Sequence, residues 1–461
     1  MILADIAKVL RDSDVPVIIN ASLDILERTG VQVENDQLLE MLGDNGAIID
    51  KYGKRARFPK PMTEQMLASS KRMPRESIRP SFSAFASVYQ GLFLDPRDGE
   101  YKEWNRERIL IYAALARALP NVESIYMLGY PVAGSDVSRQ PLLEKWFCWK
   151  YGIDAGGAIW TTGLCPRIYE MWRIYADWRK RDIGSVFNGA VYLISPLRFA
   201  KEEAAQFVYF YNKGLRVNVG WMGALGATVP VTPDGALALQ FAEAIFVNLL
   251  NRVCFHDQTL NFHCSLSVMD MRTGCFQFGR PEQVALNIAG AQIAQYLGAP
   301  YRGHEGLTGA KLPGYESAAQ KVYSALFGAM AYGSGCIEAG LLSVDEVFSP
   351  IQMILDDEMT GTIKKVLADI PVSGETLAVG VVDGVSPGGT FLDHEHTYAH
   401  FKNSLWFPSL WTGESFGVWR RGGKKNEIDR ALEKYESLAS KEIAPEMPDD
   451  VEQELLKVIG Y

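Results

Sequence analysis

The sequence predicts an α/β protein built on a (β/α)₈ TIM barrel, with a helical extension before the barrel and a helical tail after it. From about residue 105, short apolar runs that end in Gly or Ala alternate with longer amphipathic segments. Each run is also too apolar for a strand with one solvent-facing side, which indicates a parallel sheet covered by helices on both faces. Seven such units in series favour a closed barrel over an open doubly wound sheet.

Strands and helices are predicted from these alternating segments. The predicted strands are 124–130, 155–163, 185–194, 216–223, 260–268, 300–306 and 335–340. The predicted helices lie near 138–151, 166–181, 198–212, 233–251, 281–297, 315–331 and 348–369. An eighth strand is needed to close the barrel, and either 86–94 or 376–382 could supply it.

The predicted division is an N-terminal helical extension at 1–85, the barrel at 86–407 and a C-terminal helical tail at 408–461. Within the extension, VIINASLDILERTGV repeats apolar residues at helical spacing, and Gly30 is typical of a helix C-cap. The segment VYQGLFLDPRDGEYKEW predicts a β-hairpin that turns at DPRDG. The tail is charged, which predicts helices packed on the outside of the barrel.

Composition excludes several functional classes. The chain has 461 residues and a formal net charge of -9 without a long basic block, so nucleic acid is a poor partner. The charged N-terminus lacks a signal-peptide core, and no apolar run reaches the roughly 18 residues of a membrane span. Six scattered cysteines without a Cys-x-x-Cys pair predict reduced thiols in a cytoplasmic protein. The sequence has no GxGxxG motif after its first predicted strand and no GxxxxGK(S/T) motif, so nucleotide-phosphate binding by such loops is not supported.

The candidate binding residues lie at or near the carboxyl ends of the predicted strands, where barrel enzymes build their sites. They are Trp160, Tyr192, Asn218, Trp221, Met222, His263, Arg302, His304, Glu305 and Glu338. Ordinary interpretations compete with this one, because tryptophan is common in cores and a histidine on an apolar strand is often simply buried. Asp270 and Arg272 are most simply a loop ion pair.

The stretch NVGWMGALGATVPVT surrounds Trp221 with very small residues, which let a ligand approach the backbone and the indole face. Carboxylates nearby are costly to bury unless they meet a cation or hydrogen-bond donors. Aromatic faces together with carboxylates suit a quaternary ammonium, which cannot donate a hydrogen bond and is held by ring quadrupoles and dispersion.

A second cluster, HEHTYAH, contains His394, His396 and His400. An H-x-H-x₃-H run could ligate zinc, but it has no nearby cysteine and lies where the chain leaves the last predicted barrel helix. Packing or a polar contribution at the pocket rim is favoured, so the sequence assigns no metal site.

Many ordered motifs resemble the trimethylamine methyltransferase superfamily. They are ASLDILERTGVQVEN, LDPRDGE, ALPNVESIYMLGYP, SPLRFA, GATVPVTPDGALAL, VMDMRTGCFQFGRPE, GLTGAKLPGYESA, GSGCIEAGLLS and HEHTYAHF. The resemblance implies a (β/α)₈ barrel that passes a methyl group from an amine to the Co(I) of a separate corrinoid protein. It also implies a homo-oligomer that binds no cofactor tightly, because the cobalamin-type corrinoid is carried by the cognate partner.

The sequence runs through GHEGLTGAK without a pyrrolysine, which the founding branch of the superfamily carries. The chain therefore resembles the branch that lacks pyrrolysine and demethylates quaternary amines such as glycine betaine. In that case Trp160, Tyr192 and Trp221 would cradle the cation, and Glu305 or Glu338 would balance its charge. A betaine carboxylate would be bound by His263, His304 or Arg302. No residue is assigned as a general acid, because a neutral tertiary amine leaves.

Alternative functions stay open on the sequence alone. One is a methyltransferase that uses another methylamine donor, or tetrahydrofolate as the acceptor, with Asn188 and Asn218 bonding to the pterin edge. Another is a non-catalytic protein that only binds a quaternary amine. A third is a zinc hydrolase built on the histidine run.

Overall fold

The computed structural model describes residues 7–73, 81–88, 91–263 and 265–461. The first elements form the extension, and they are α1 (Asp14–Arg28), β1 (Val31–Val33), α2 (Asp36–Asp44), β2 (Ile48–Asp50), β3 (Arg55–Arg57) and α3 (Lys60–Ser69). Helix α1 buries Ile18, Leu23 and Leu26 on one face, as its periodicity predicts. It ends before Gly30, whose φ of 69° lies in the left-handed region and whose Cβ would collide with the Ala56 carbonyl.

The barrel segment alternates strands with helices. Its first half comprises β4 (Ser81–Val88), β5 (Leu92–Leu94), β6 (Tyr101–Glu103), α4 (Arg106–Ala118), β7 (Val122–Met127), α5 (Gln140–Lys150), β8 (Asp154–Ala155), α6 (Cys165–Arg179), α7 (Ile183–Val186), β9 (Ala190–Leu193), β10 (Arg198–Phe199) and α8 (Lys201–Tyr211). Its second half comprises β11 (Asn218–Trp221), β12 (Gly223–Leu225), α9 (Pro233–Phe255), β13 (Phe262–His263), β14 (Leu266–Asp270), β15 (Cys275–Gln277), α10 (Pro281–Tyr296), β16 (Tyr301–Arg302), α11 (Tyr315–Tyr332), β17 (Ser334–Ala339), β18 (Leu341–Leu342), β19 (Val347–Phe348) and α12 (Pro350–Leu367).

The parallel strands form an eight-stranded barrel, in which β11 with β12, and β13 with β14, are each two segments of one barrel strand. Strand β17 pairs with β4, β4 with β7, and β7 with β8. Strand β9 pairs with β11, β12 with β14, and β13 with β16. Two backbone hydrogen bonds bridge the remaining gaps, from the Ala190 amide to the Gly157 carbonyl at 2.9 Å and from the Glu338 amide to the Gly306 carbonyl at 3.2 Å. The predicted (β/α)₈ barrel is therefore confirmed.

The eighth strand differs from the prediction. Strand β4 begins at Ser81, ahead of the predicted 86–94 and of the predicted barrel start at residue 86, whereas 376–382 lies in short helices. Its sequence SFSAFASV is poor in large apolar residues, so hydropathy alone does not mark it as a central strand. The strand predicted at 185–194 begins only at Ala190, because Asp182 caps the short helix α7 at the Gly184 amide.

Two smaller features agree with the sequence analysis, and a third, the pairing of β10 with β1, differs from the helix predicted from residue 198. Strands β5 and β6 form the predicted antiparallel hairpin. Strands β14 and β15 form a second hairpin, in which Arg272 Nη2 lies 2.8 Å from Asp270 Oδ2 as the simple loop ion pair predicts. Strand β10 joins the small sheet of the extension through a parallel pairing with β1.

The rest of the chain forms α13 (Gly374–Leu377), α14 (Val379–Val385), α15 (Glu395–Ser404), α16 (Phe416–Arg421), α17 (Glu427–Leu438) and α18 (Asp449–Ile459). Helix α17 packs against α4 and α12, and α18 packs against α5 and α6. Helix α9 is long and apolar enough to cross a membrane, but 83% of its apolar window is buried inside the fold, as in a core helix.

Buried charged groups hold the loops that follow the strands. Lys145 and Glu144 are fully buried; the Lys145 ammonium donates to the Ala158 carbonyl at 3.0 Å, and Glu144 accepts from the Gly156 amide at 2.6 Å. Glu243 accepts from the Ser195 hydroxyl and the Leu197 amide, both at 2.9 Å. Because each of these buried groups forms hydrogen bonds with backbone atoms of a loop, it fixes the position of that loop against the body of the protein.

Candidate functional site

A pocket of about 200 Å³ lies inside the barrel where β4, β7, β16 and β17 come together. We call it the lumen pocket, and it is lined by Phe85, Ser87, Tyr126, Leu128, Arg302 and Glu338. Successive side chains of a strand point to opposite faces, so alternate residues of each strand reach the lumen. Glu338 lies opposite Phe85 in the β17–β4 register, and Ser87 lies opposite Tyr126 in the β4–β7 register.

Glu338 is held in this pocket by a neighbouring strand and by a buried lysine. The Ser87 hydroxyl donates to Glu338 Oε2 at 2.7 Å, and the Lys321 ammonium donates to the Glu338 carbonyl oxygen at 2.7 Å. Burial raises the pKa of the Glu338 carboxyl, against the lowering effects of the Ser87 hydrogen bond and of the Lys321 and Arg302 charges. The carboxylate therefore gains from a further cation placed in the pocket.

Lys321 itself belongs to a fully buried ion pair behind the pocket. Its ammonium lies 2.7 Å from Asp356 Oδ2, and Asp356 also accepts from the Gly340 amide at 2.8 Å. Gln352 donates to the other Asp356 oxygen at 2.8 Å. This network ties α11 and α12 to the end of β17, which fixes where Glu338 projects.

Arg302 presents a guanidinium to the same pocket. Its Cζ lies 6.0 Å from the centre of the Phe85 ring, and the side chain is exposed in the lumen. Within the described part of the chain this guanidinium forms neither a hydrogen bond nor an ion pair. An arginine fork with free donors matches the geometry of a carboxylate.

A groove of about 580 Å³ lies beside the lumen pocket, between β11 and β13. We call it the strand groove. It exists because β11 pairs with β9 and β13 with β16, whereas β12 and β14 pair only farther along the strands. Of the predicted residues, it contains Tyr192, Asn218, Trp221 and His263. The two cavities adjoin, since His263 and Arg302 are neighbours in the β13–β16 register.

Tyr192 and Asn218 are the open side chains of this groove. The Tyr192 ring, 58% exposed, lies across Gly220 on the adjacent strand, where any Cβ would meet ring carbons at 2.7 Å. Gly220 therefore allows the ring to lie against the strand with the rest of its surface facing the groove. Asn218 is exposed one alternation before Gly220 on the same face.

Trp221, by contrast, is only 2% exposed. Its ring centre lies 3.8 Å from that of His263, with 34° between the planes. Burial, together with the charges of His304 and Arg302, lowers the pKa of His263 to about 4. His263 is therefore neutral at neutral pH and does not repel a cation in either cavity.

Four other predicted residues line neither of the two cavities: Trp160, Met222, His304 and Glu305. Trp160 is half-buried at a φ of 68°, and its carbonyl accepts from Gln206 Nε2 at 3.0 Å; it lines neither cavity. Met222 is exposed between β11 and β12. The His304 ring packs edge-on against Phe278 at 4.9 Å, and burial lowers its pKa to about 4. Trp160 and Trp221 therefore do not share the strand groove.

Glu305 contacts α11 instead of the lumen pocket. The Tyr332 hydroxyl donates to one of its oxygens, and the Cys336 thiol lies 3.8 Å from the other. Burial raises the pKa of this carboxyl to about 7, against the lowering effects of the Tyr332 hydrogen bond and the Arg302 charge. The donors that a buried carboxylate requires are thus supplied by the fold.

Phe85, Ser87 and Tyr126 are pocket residues that the sequence analysis did not single out. Tyr126 lies inside the predicted strand 124–130. The range 86–94 is only one of two candidates for the eighth strand, and it includes Ser87 but leaves out Phe85. Phe85 is the largest side chain on the lumen face of β4, but the large residues of SFSAFASV are three positions apart, so no period-2 alternation marks this segment as a strand.

The histidine run has structural contacts in the folded chain. His394 caps α15 by accepting from the His396 amide at 3.0 Å. The His396 and His400 rings lie 4.3 Å apart, and His400 Nε2 is 3.5 Å from Glu375 Oε1. Across the described ranges, no group of three or more His, Cys, Asp or Glu side chains is placed to hold a metal ion.

Comparison with known proteins identifies the family. The pattern that defines trimethylamine methyltransferase (MTTB) matches residues 164–460, which is more than half of the chain. The protein belongs to the trimethylamine methyltransferase family. Members of this family are methyltransferases, so the chain is an enzyme of that class, as its motifs predict.

Individual relatives of this trimethylamine methyltransferase family member are distant. Trimethylamine methyltransferase MttB of Desulfitobacterium hafniense (strain DSM 10664 / DCB-2) is 24% identical over 97% of this chain and 92% of its own length. A glycine betaine methyltransferase of D. hafniense (strain Y51) is also 24% identical, over 58% of this chain and 56% of its own. The solved monomethylamine methyltransferase MtmB of Methanosarcina barkeri aligns over 94% of this chain and 96% of its own, with 11% identity and a TM-score of 0.46.

Proposed function

We propose that the protein transfers a methyl group from a carboxylated quaternary amine, similar to glycine betaine, to the Co(I) of a cognate corrinoid protein. The observation that carries this proposal is the lumen pocket, which combines two aromatic rings, a carboxylate and an arginine fork that bonds to none of the described residues. Phe85, Tyr126 and Glu338 suit a quaternary ammonium, and Arg302 suits the carboxylate at the other end of the same small molecule.

The size and charge of the pocket agree with such a zwitterion. About 200 Å³ is below the roughly 300–1,000 Å³ of pockets for drug-sized ligands and suits a molecule of few heavy atoms. Glu338 and Arg302 carry opposite charges, so the lined pocket has little net charge of its own. A zwitterion places one charge near each of them, whereas a simple methylamine leaves the Arg302 fork without a partner.

The chemistry requires positioning and exclusion of water. The Co(I) electron pair forms the new bond to carbon, the N–CH₃ bond breaks, and nitrogen keeps that bonding pair and leaves as a neutral tertiary amine. Because no proton is transferred, a neutral His263 beside the pocket is compatible with the reaction. Holding one methyl group in line with the acceptor can contribute about 7–11 kcal/mol.

Methyl transfer can be followed directly with reduced corrinoid as the acceptor. The purified protein would be incubated with Co(I) corrinoid, either free cobalamin or a corrinoid protein, and with glycine betaine, tetramethylammonium or trimethylamine. We expect the Co(I) absorbance to be lost with glycine betaine and dimethylglycine to form in equal amount. Transfer from trimethylamine alone would contradict the donor class, and binding of betaine without any loss of Co(I) would favour a non-catalytic binding protein.

A further inference from the structure

The strand groove cuts through the wall of the barrel and is not only a recess of its interior. It is lined by Asn218 and Gly220 on the lumen face of β11, and also by Val219 on the opposite face and by Val247 of α9. In the described part of the chain, β11 pairs only with β9, and β13 pairs only with β16. The wall is therefore open between β11 and β13.

A buried asparagine keeps this gap in the wall open. Asn248 of α9 is 5% exposed; it accepts from the Asn261 amide at 2.9 Å and donates to the Asn261 carbonyl at 2.9 Å. The next residue, Phe262, donates in the other direction, to the Pro300 carbonyl at 3.2 Å. The backbone of Asn261 therefore faces β11, and in a continuous sheet it would bond to that strand. Because a helix side chain bonds to it instead, the separation of the two strands is part of the fold.

One end of the groove lies at the amino-terminal face of the barrel. Residues that connect a helix to the following strand lie at that face. Arg216 precedes β11 by two residues, and Asp257 and Thr259 lie between α9 and β13. Arg216 Nη2 is 2.7 Å from Asp257 Oδ2, and the side chains of Arg216, Thr259 and Asn261 are exposed. This end of the groove is therefore open to solvent.

The other end of the groove reaches the lumen pocket. His263 in the groove is the neighbour of Arg302 in the pocket. A barrel interior is usually filled by layers of bulky side chains, but Ala190 and Gly220 are too small to fill this part, and the Tyr192 ring lies flat across Gly220. At about 580 Å³ the groove has room for any molecule that the pocket of about 200 Å³ can hold.

The charges along the groove suit passage better than tight binding. Arg216 and Asp257 neutralise each other at the outer end. His263 is neutral at neutral pH because its pKa is lowered to about 4. Asn218 and Asn261 between them are uncharged. A zwitterion or a neutral amine therefore meets no net charge that would hold it in the groove or repel it.

A passage to the amino-terminal face changes the order in which ligands can bind. A methyl acceptor has to cover the barrel mouth, at the carboxyl ends of the strands, in order to reach the lumen pocket and exclude water. If the mouth were the sole route, the amine would have to bind before the acceptor. An opening on the opposite face lets the small molecule exchange while the mouth is covered.

We propose that the strand groove is a second entrance to the lumen pocket, through which a small amine enters and its demethylated product leaves at the amino-terminal face of the barrel. The path runs past the Arg216–Asp257 pair, between Asn218 and Asn261, and past His263. The identity of the two small molecules rests on the proposed function, whereas the passage itself does not.

Thiol labelling tests the passage without any methyl transfer. In a protein with Cys275→Ser, which removes an exposed thiol, Asn218→Cys places a thiol inside the groove. The reagent is 2-(trimethylammonium)ethyl methanethiosulfonate, a small quaternary ammonium. Thr259→Trp and Asn261→Trp, at exposed positions of the outer end, should each slow labelling by about tenfold or more. The matched control is Gln258→Trp, at an exposed position that does not line the groove, and it should leave the rate within about twofold.

Circular dichroism checks that each tryptophan variant is folded, and two separate plugging positions guard against the failure of one. If both plugged variants label as fast as the unplugged protein, the proposal is overturned, because the reagent then reaches the thiol through the barrel mouth.

The order of binding gives a second test, with glycine betaine as the donor and a corrinoid protein as the acceptor. The initial rate of the wild type should level off as the acceptor concentration rises, because the amine can enter after the acceptor has docked. Thr259→Trp and Asn261→Trp should instead be inhibited by excess acceptor, about threefold or more, because a docked acceptor closes the remaining route. Plugged variants whose rates level off like that of the wild type would also overturn the proposal. A wild type that transfers no methyl group would contradict the proposed function, and the labelling rates would then decide the passage by themselves.

Discussion

Ser87 on β4 donates a hydrogen bond of 2.7 Å to Glu338 on β17, across the two strands that close the barrel. The bond orients one carboxylate oxygen, and among the described residues no donor bonds to the other. Because the donor is a neutral hydroxyl, the negative charge of Glu338 is not neutralised by it. The pair therefore presents an oriented anion to a cationic ligand.

Replacing Glu338 by Gln should weaken binding of a cationic donor. The amide keeps the shape and the contact with Ser87 but removes the charge, so we expect KM to rise roughly tenfold, about 1.4 kcal/mol. Since burial raises the pKa of Glu338, the wild type should lose this charge, and its KM should rise, at a higher pH than an ordinary glutamate would. Steady-state kinetics between pH 5 and 8 would measure both effects.

The Glu338→Gln enzyme should show no such rise in KM as the pH falls. Ser87→Ala serves as the matched control, because it keeps the carboxyl but removes its donor and so shifts the rise to still higher pH. Equal pH profiles for the wild type and Glu338→Gln would show that this carboxylate does not bind the substrate.

Substitutions of aromatic side chains can show whether the ammonium group binds in the lumen pocket or in the strand groove. If the ammonium binds in the lumen pocket, Phe85→Leu and Tyr126→Leu should each raise KM by about 3- to 30-fold, corresponding to roughly 0.5–2 kcal/mol of cation–π attraction. Tyr192→Leu, in the adjoining groove, should change KM less than threefold. The reverse order would move the ammonium to the strand groove. Thermal unfolding of all three variants checks that the fold is retained.

Much of the fold follows from periodicity alone. Helix α11 and strand β17 lie where the sequence predicts them, because one face of each is buried at a regular spacing. Helix α9 also lies where it is predicted, although it is buried on all sides. Strand β4 was not identified from its hydrophobic periodicity, because most of its side chains are small serines and alanines packed between neighbouring strands. Hydropathy does not distinguish such a strand from a loop.

The site was only partly predictable for a geometric reason. Arg302 and Glu338 were singled out at strand ends, and they do line one pocket. Phe85 and Tyr126 line the same pocket because of the register in which β4 pairs with β17 and β7. Register between strands cannot be predicted from a local sequence pattern. Trp221 directly follows Gly220 on β11, so its side chain points to the opposite face of the strand. There its ring packs against His263.

Arg302 should distinguish carboxylated from simple quaternary amines. Arg302→Met removes the fork, so KM for glycine betaine should rise about 10- to 100-fold, in line with a charged hydrogen-bonded contact of roughly 1.5–3 kcal/mol. KM for tetramethylammonium, which has no carboxylate, should stay within about twofold. Arg302→Lys keeps the charge without the planar fork and should fall between the two. Equal losses for both donors would show that Arg302 has only a structural role.

Glu305 should make stability depend on pH in a predictable direction. Its pKa is raised from 4.5 to about 7 in the folded protein, so between these values the folded state holds a proton that the unfolded chain has lost. Stability therefore falls as the pH rises from about 4.5 through 7, by at most about 3 kcal/mol in total. Glu305→Gln, which still accepts a hydrogen bond from Tyr332, should remove this loss. Urea unfolding should thus find Glu305→Gln more stable than the wild type at pH 8 and equal to it at pH 4.

Tyr332→Phe, which removes the donor but keeps the carboxyl, should destabilise the protein more at pH 8 than at pH 4. A Glu305→Gln protein that is less stable at pH 8 would mean that the ionised carboxylate is stabilised by its surroundings, contrary to its burial against α11.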